Sequence, residues 1–337
     1  MKEYYENNSA SLNVNSIPKM EKLKKKREIM HGGKVLGVQW SPVEASALIS
    51  WGKDGHLIHW DVLTRYKKGL ISIGNWIMDC SFSPSGNMIA AGGADCKITL
   101  YDLNAEVKED EPDAMKNPFF LLDLQGHKSC VNCLQYLSEN EIISGSADKS
   151  CILWDVENKR AVSTYTGHDK DITCLAASSD QRVFVTGSSD GIIKIWDTRS
   201  SFGKDSELDW RRRNGHSIQP EIKPSTSCLQ FLPNTYTFAS GGHDDIARLW
   251  DIRSDRELIT YKDAIFELSR LNGLTFSKTG RYLFTLHKGV LKAWETLTGN
   301  LLYTVATDFV TGTGLAINLD GSAIACSSWN GLIEVYG

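Results

Sequence analysis

The stretch Thr186–Asp197, TGSSDGIIKIWD, decides the fold because its pattern returns along the whole chain. It holds a hydroxyl residue, an Asp-Gly turn, an alternating strand and a terminal Trp-Asp pair. That ending, or a weaker copy, stands at Trp60/Asp61, Tyr101/Asp102, Trp154/Asp155, Trp196/Asp197, Trp250/Asp251 and Trp294/Glu295. Successive ends are 41, 53, 42, 54 and 44 residues apart, and a further 42 residues reach Tyr336. The sequence therefore contains seven repeats.

This period predicts the architecture. A unit of about 40–45 residues that ends in Trp-Asp is typical of a β-propeller blade, and blades bury their faces only against neighbouring blades. We therefore expect an all-β, seven-bladed WD-repeat β-propeller over residues 22–337, with residues 1–21 as a polar extension, flexible or short and helical. The last repeat has only three strands, so Lys22–Met30 is expected to be the outer strand that closes blade 7. Its basic residues alternatively indicate a membrane or nucleic-acid contact.

The composition excludes several classes of function. A formal net charge of −4 argues against a nucleic-acid partner. The sequence has no apolar run of about 18 residues, no hydrophobic signal region and no lipidation motif. We expect a cytoplasmic protein that reaches a membrane only through lipidated partners.

The eight cysteines are scattered through strand-like segments, so we expect reduced thiols in the core. Cys130 and Cys133 form a C-x-x-C pair, which alternatively indicates redox chemistry or half of a zinc site. There is no second pair at zinc spacing and no strand-to-helix context. We therefore expect no metal and no cofactor.

A second register appears when positions are counted back from each repeat end: Asp six residues before, Ser or Thr four residues earlier, and His upstream. The sets are His31, Ser50, Asp54 and Trp60; His127, Ser144, Asp148 and Trp154; His168, Thr186, Asp190 and Trp196; and Ser240, Asp244 and Trp250, with His216 further upstream. The same count assigns Phe284 and Lys288 to blade 6. These sets resemble the hydrogen-bonded tetrads of WD-repeat propellers. Because an active site rarely recurs in every repeat, we interpret them as framework rather than as catalytic triads.

Four segments between the repeat ends carry a narrower resemblance. They are Asn75–Asn87 (NWIMDCSFSPSGN), Ala247–Tyr261 (ARLWDIRSDRELITY), Phe276–Arg281 (FSKTGR) and Ser328–Ile333 (SWNGLI). They resemble heterotrimeric G-protein β subunits at the same places, and the resemblance extends over about residues 31–337. It implies a non-enzymatic protein that binds a GDP-loaded α subunit and a γ subunit, and relays receptor signals to effectors at the inner face of the plasma membrane.

The resemblance also implies a partner surface on one rim of the propeller. It assigns to the α-subunit and effector surface Lys34, Leu36, Trp76, Met78, Asp171 and Trp329. Alternatively, Trp76 or Met78 turns inward and fills the core. The chain departs from the family where Leu36 and Cys130 replace Tyr, where Ala94 replaces Leu, and where Ser225 and His243 replace an acidic pair.

Two insertions and the N-terminus leave alternatives open. The segments 106–118 and 200–224 are expected to be loops, either surface decoration or partner contacts. The family has a long N-terminal helix that coils with γ, whereas Ser16–Glu28 offers here only a short apolar trace of Ile17, Met20 and Leu23. A divergent β subunit, a chain shortened at the N-terminus and a β-like scaffold are all compatible with this pattern. The other classes considered are a general WD-repeat scaffold or adaptor, and a propeller enzyme, for which no acidic or metal-binding cluster is readable.

Overall fold

The computed structural model describes residues 22–105, 119–199, 206–208, 224–253, 256–263 and 270–337. The extension at residues 1–21 and the insertion at 106–118 lie outside this part of the chain. Within the second insertion, Ser206–Leu208 forms the short outer strand of blade 4, so the prediction of a loop is wrong for these three residues. They pair with the edge of the preceding strand, which satisfies backbone groups that a loop would leave exposed.

The described residues form seven sheets of four antiparallel strands each, as the seven repeats predict. The strands of blades 1–3 are β2 (Val35–Trp40), β3 (Ala47–Gly52), β4 (His56–Asp61) and β5 (Tyr66–Ser72); β6 (Ile77–Phe82), β7 (Met88–Gly93), β8 (Lys97–Asp102) and β9 (Phe120–Gln125); and β10 (Val131–Tyr136), β11 (Glu141–Ser146), β12 (Ser150–Asp155) and β13 (Arg160–Thr166). Those of blades 4 and 5 are β14 (Ile172–Ala177), β15 (Val183–Ser188), β16 (Ile193–Asp197) and β17 (Ser206–Leu208); and β18 (Thr226–Phe231), β19 (Thr237–Gly242), β20 (Ala247–Asp251) and β21 (Arg256–Tyr261). Those of blades 6 and 7 are β22 (Leu271–Phe276), β23 (Tyr282–His287), β24 (Val290–Glu295) and β25 (Leu301–Ala306); and β26 (Gly312–Ile317), β27 (Ile324–Ser328) and β28 (Leu332–Tyr336) with β1 (Lys25–Met30).

The sheets close into a ring. The innermost strands contact one another in sequence from β2 to β6, β10, β14, β18, β22 and β26, and β26 contacts β2 again. The fourth strand of blade 7 is β1, which pairs antiparallel with β28 from Lys25 opposite Tyr336 to Met30 opposite Leu332. Lys25–Glu28, the end of the candidate helical trace, is therefore strand and not helix. The free edge of β28 satisfies its backbone hydrogen bonds with these residues.

The core lies between blades. In the cluster between blades 2 and 3, Ile98 and Leu124 pack with Ile152 and Trp154, so a repeat-end tryptophan seals a blade against its neighbour. Near the channel the blades approach so closely that a Cβ on Gly92 would lie 2.7 Å from Val131 Cγ1. The repeat thus encodes both the blade and its junction with the next blade. Within the described residues, no helical segment has the length and hydrophobicity needed to cross a bilayer.

Candidate partner-binding face

The predicted tetrads of blades 3 and 4 come together as hydrogen-bonded chains. In blade 3, His127 Nε2 lies 2.8 Å from Ser144 Oγ, His127 Nδ1 lies 3.0 Å from Asp148, and Trp154 Nε1 donates to Ser144 Oγ at 2.8 Å. Blade 4 repeats this geometry, with distances of 2.9, 3.1 and 2.8 Å among His168, Thr186, Asp190 and Trp196. In both blades the chain ties the loop before the innermost strand to the turn after the second strand.

Blades 1 and 5 keep part of the arrangement. In blade 1, Ser50 Oγ lies 2.7 Å from His31 and accepts from Trp60 at 2.8 Å, while Asp54 lies 3.4 Å from His31. In blade 5, Ser240 accepts from Trp250 at 2.8 Å, and Arg248 donates to Asp244 at 2.6 Å. His216 falls outside the described residues. An arginine is therefore the charged partner of Asp244.

Blade 6 also holds a chain of hydrogen bonds, but the fixed spacing from the repeat end assigned it to the wrong residues. Trp294 Nε1 donates to Thr285, not to a group at Phe284, because His287 pairs directly with Val290 and the hairpin is one residue shorter. Thr285 in turn lies 2.8 Å from His287, whose other ring nitrogen contacts Asp245 of blade 5. The sequence signal for this shift was a threonine nine residues before the tryptophan, where the other tetrads have their hydroxyl residue ten residues before it.

The electrostatics of the tetrads fit a framework role. Burial lowers the pKa of His127 against the opposing effect of Asp148, so the imidazole is neutral at pH 7. Burial opposes ionisation of Asp148, but hydrogen bonds from Ser150, the Lys128 amide and His127 outweigh it and bring the pKa of Asp148 to about 2. Ser144 is fully buried. Its hydroxyl is thus closed off from solvent and is held between His127 and the indole of Trp154.

One rim of the propeller is set by a backbone contact that recurs in six blades. In each of these blades, the residue directly before the innermost strand accepts a backbone hydrogen bond through its carbonyl. The donor is the amide of a residue in the turn between the second and third strands. The pairs are Lys34/Lys53 (2.9 Å), Trp76/Ala94 (3.1 Å), Cys130/Ala147 (3.0 Å), Asp171/Ser189 (3.0 Å), Ser225/His243 (3.2 Å) and Thr311/Trp329 (3.0 Å). Five of the six turn residues directly precede the register Asp, and Trp329 precedes Asn330 in the same way. Four of the six assigned surface residues, Lys34, Trp76, Asp171 and Trp329, belong to these pairs.

Blades 7, 1 and 2 bring two indoles and two lysines together on this rim. Trp76 is 53% exposed and Trp329 is 43% exposed. Lys53 Nζ lies 4.5 Å from the Trp76 ring centroid and 5.0 Å from that of Trp329, and Lys34 Nζ lies 5.4 Å from the Trp329 centroid. We call Lys34, Lys53, Trp76 and Trp329 the cationic aromatic patch. Trp76 therefore does not turn into the core.

Lys53 was missed by sequence reasoning. Its position in the repeat was the sequence signal for a place on the rim, because Lys53 precedes Asp54 as Trp329 precedes Asn330. Blades 2, 3 and 4 have the small residues Ala94, Ala147 and Ser189 at this position. Within the described residues, neither Lys34 nor Lys53 has a carboxylate within ion-pair distance. The patch is thus cationic as well as aromatic.

The other assigned surface residues lie differently. Leu36 is half-buried and packs on the core cluster that holds Trp51 and Ile77. Met78 is also half-buried, and its carbonyl accepts a hydrogen bond from Trp51 Nε1 at 3.2 Å. Asp171 is exposed on blade 4, three blades from blade 1, and no described contact joins it to the patch. The structure therefore groups Lys34, Trp76 and Trp329, whereas Leu36 and Met78 lie two residues after Lys34 and Trp76 on innermost strands β2 and β6.

Among the described residues, one acidic cluster has ligand atoms close enough to hold a metal ion: Glu28, Asp308 and Glu334. Lys25 Nζ lies within it, 2.9 Å from Glu334 and 2.5 Å from Asp308. Burial lowers the pKa of Lys25, but the hydrogen bonds to these two carboxylates outweigh it and raise the pKa overall. An ammonium group thus supplies the positive charge, and the cluster fastens β1 to blade 7.

These features define a class: a seven-bladed WD-repeat propeller with buried tetrads and an exposed, cationic aromatic patch on one rim. The profile of the family described as G protein beta WD-40 repeat protein matches residues 8–337, and the chain belongs to this family. Among curated relatives, it is 29% identical to the guanine nucleotide-binding protein subunit beta of Solanum tuberosum and 30% identical to subunit beta-1 of Nicotiana tabacum. The subunit beta of Arabidopsis thaliana is 29% identical. Each match covers 91% of this chain and 81% of the relative.

Proposed function

We propose that this chain is the β subunit of a heterotrimeric G protein and that the cationic aromatic patch binds the GDP-bound α subunit. The observation that carries the proposal is the exposure of Trp76 and Trp329 side by side over Lys53. Large aromatic side chains exposed on a folded surface are types that dominate interface energetics. Membership of the G protein beta family supports the choice of partner.

The patch is built to bind without rearrangement. The backbone of Trp76, Lys53 and Trp329 is held by hydrogen bonds of 2.9–3.1 Å to neighbouring rim residues. Partner binding to a preformed surface loses less ordering entropy than binding to a flexible loop. We propose that effectors use the same rim, so that α and effectors compete for it.

The remaining assignments are proposed from the family. A γ subunit and the lipids of the partners would bring the chain to the inner face of the plasma membrane, and the free protein would be cytoplasmic. Leu23 packs against the core cluster of blades 6 and 7 and is therefore used by the propeller itself, whereas Ile17 and Met20 lie outside the described residues. We propose no catalytic role, because the tetrad hydroxyls are buried.

A general scaffold or adaptor is the second candidate, and the rim of blade 5 favours it. Ser225 and His243 stand there in place of the acidic pair of the family, and burial lowers the pKa of His243, so neither of these two side chains supplies the negative charge of that pair. If the second candidate is right, stable partners other than an α subunit should be recovered.

The deciding experiment is affinity purification of the full chain from its own cells, once with GDP and once with a non-hydrolysable GTP analogue. A β subunit should retain an α subunit with GDP and release it with the analogue. Recovery of other partners in both nucleotides, without an α subunit, would select the scaffold.

A further inference from the structure

We infer that the cationic aromatic patch recognises a partner segment in which a carboxylate side chain is flanked by apolar side chains, and that Lys53 selects the carboxylate. The inference rests on the proposed function, since it concerns the same surface. It names the chemistry of the segment and the residue of this chain that determines specificity.

The charges of the patch lead to this choice. Lys53 Nζ lies within 5.0 Å of both indole centroids, and Lys34 Nζ lies 5.4 Å from the Trp329 centroid, so two ammonium groups share one aromatic surface. Neither has a carboxylate partner within the described residues. A cationic partner side chain would be repelled, whereas a carboxylate would form charge-assisted hydrogen bonds.

The indoles determine the rest of the partner segment. About half of the Trp76 surface is accessible although Lys53 covers part of the ring, which leaves apolar area for contact. Burial of apolar side chains there removes water from the ammonium groups and strengthens their attraction to a carboxylate. A carboxylate beside Leu, Ile or Phe satisfies both requirements.

Backbone hydrogen bonds hold the turn that contains Lys53, so the Cα from which its side chain extends has a fixed position. Its amide donates to the Lys34 carbonyl at 2.9 Å, and the next residue, Asp54, accepts from the His56 amide at 3.1 Å. Gly52 has no room for a side chain, because a Cβ would collide with the Lys34 carbonyl. Blades 2 to 4 have only Ala or Ser at the equivalent position. Among blades 1 to 4, the cation therefore occurs at this position only where the two indoles meet.

The test uses the full chain and two labelled synthetic peptides, one of alternating Glu and Leu, the other with Gln in place of every Glu. The wild-type protein should bind the acidic peptide about tenfold more tightly at low salt, and the preference should shrink as salt is added. Lys53→Met should remove most of the preference, whereas Lys53→Arg should retain it. Lys128→Met is the matched control, because Lys128 is exposed beside Cys130 on blade 3 and carries the same charge.

Equal affinity for the two peptides, or an unchanged preference in Lys53→Met, would overturn the inference, as would failure of the acidic peptide to bind at about 1 mM. Tighter binding of a single-stranded oligonucleotide than of the acidic peptide would replace the carboxylate by a phosphate and would also overturn it. Thermal melts of both Lys53 variants separate a loss of recognition from a loss of folding.

The two proposals can fail separately. If a purified GDP-loaded α subunit does not bind while the Lys53-dependent preference for the acidic peptide is present, the proposed function fails and the inference stands. If the α subunit binds and the peptide preference is absent or independent of Lys53, the proposed function stands and the inference fails.

Discussion

The ammonium nitrogen of Lys53 lies 4.5 Å from the centroid of the Trp76 indole, so a turn of blade 1 is joined to the loop that enters blade 2. The same nitrogen lies 5.0 Å from the Trp329 centroid in blade 7. Cation–π contacts at exposed sites contribute about 0.5–1 kcal/mol each. The lysine of blade 1 therefore orients two indole side chains that lie on two different blades.

The first prediction concerns this contact. In a double-mutant cycle of Lys53→Met and Trp76→Ala, we expect a coupling free energy of about 0.5–1 kcal/mol from urea denaturation. The single Lys53→Met change should also shift the tryptophan fluorescence, since a charge leaves the indole faces. A coupling indistinguishable from zero, with unchanged fluorescence, would show that the lysine points elsewhere in solution.

The second prediction concerns binding. Trp76→Ala combined with Trp329→Ala should abolish binding of a GDP-bound α subunit in a calorimetric titration, because buried aromatic anchors contribute about 2–4 kcal/mol each. The melting temperature should change by only a few degrees, since both side chains are exposed. Tyr66→Ala is the control: Tyr66 is a 68% exposed aromatic residue on an outer strand. Binding that survives the double change would assign the patch to another partner.

The fold could be predicted from the sequence because the repeat is long and because certain positions in it must hold polar side chains. A buried indole N–H needs an acceptor, and Ser144, Thr186 and Ser240 supply one at the same spacing. The fixed spacing failed in blade 6, where the hairpin is one residue shorter. Thr285, and not a group at Phe284, therefore accepts the hydrogen bond from Trp294. Spacing alone cannot reveal such a change in turn length.

The candidate site was predictable only in part. Exposure of Trp76 and Trp329 followed from their places before and after strands, but their meeting through Lys53 depends on contacts between three blades. The separation of Asp171 from the patch has the same origin, because sequence register places residues on a rim without saying how far apart they lie. The ring geometry supplies that information.

The third prediction concerns Asp79 on the innermost strand of blade 2. Burial raises the pKa of its carboxyl to about 7, although the amides of Leu134 and Cys80 donate to it at 2.8 and 2.9 Å. Since this pKa lies above the unfolded value of 3.8, the folded state binds the proton more tightly, and the stability falls as pH rises between about 4 and 7.

Asp79→Asn should therefore become more stable relative to wild type as pH rises from 5 to 8, by about 1–3 kcal/mol in urea denaturation. The asparagine oxygen can still accept from Leu134. Asp171→Asn, at an exposed site, is the control for the loss of one carboxylate from the rim side of the propeller. A difference between Asp79→Asn and wild type that does not vary with pH would contradict the raised pKa.

The fourth prediction concerns the tetrads. Asp148→Ala should lower the free energy of unfolding by about 1–3 kcal/mol, because His127 and the Lys128 amide lose their acceptor. The folded pKa of Asp148 is about 2, below the unfolded value of 3.8, so its contribution is present above pH 4 and is lost as pH falls toward 2. Denaturation at pH 7 and pH 3 should show a smaller effect of the substitution at pH 3. A His127 variant that lost an assayable activity without losing stability would instead indicate chemistry at the tetrad.

The last prediction concerns the closing strand. Glu334 is fully buried in β28, where it contacts Lys25 at 2.9 Å, the Tyr336 hydroxyl at 2.6 Å and the Asp308 amide at 3.2 Å. The Lys25 side chain is 27% exposed, so the pair is half-buried, and removing the lysine leaves the buried carboxylate of Glu334 without its counter-charge. Lys25→Met should therefore lower the free energy of unfolding by about 1–3 kcal/mol, less than for a fully buried pair because solvent screens part of the charge.

The double variant Lys25→Met/Glu334→Gln should recover much of this loss, since the charge that lacked a partner is gone. A chain that begins at residue 31 lacks β1 altogether, so the edge of β28 and the cluster around Ile29 are exposed. Its melting temperature should lie well below that of a chain that begins at residue 22. Equal melting temperatures for these two chains, or a Lys25→Met protein as stable as wild type, would show that the ring closes without β1 in solution.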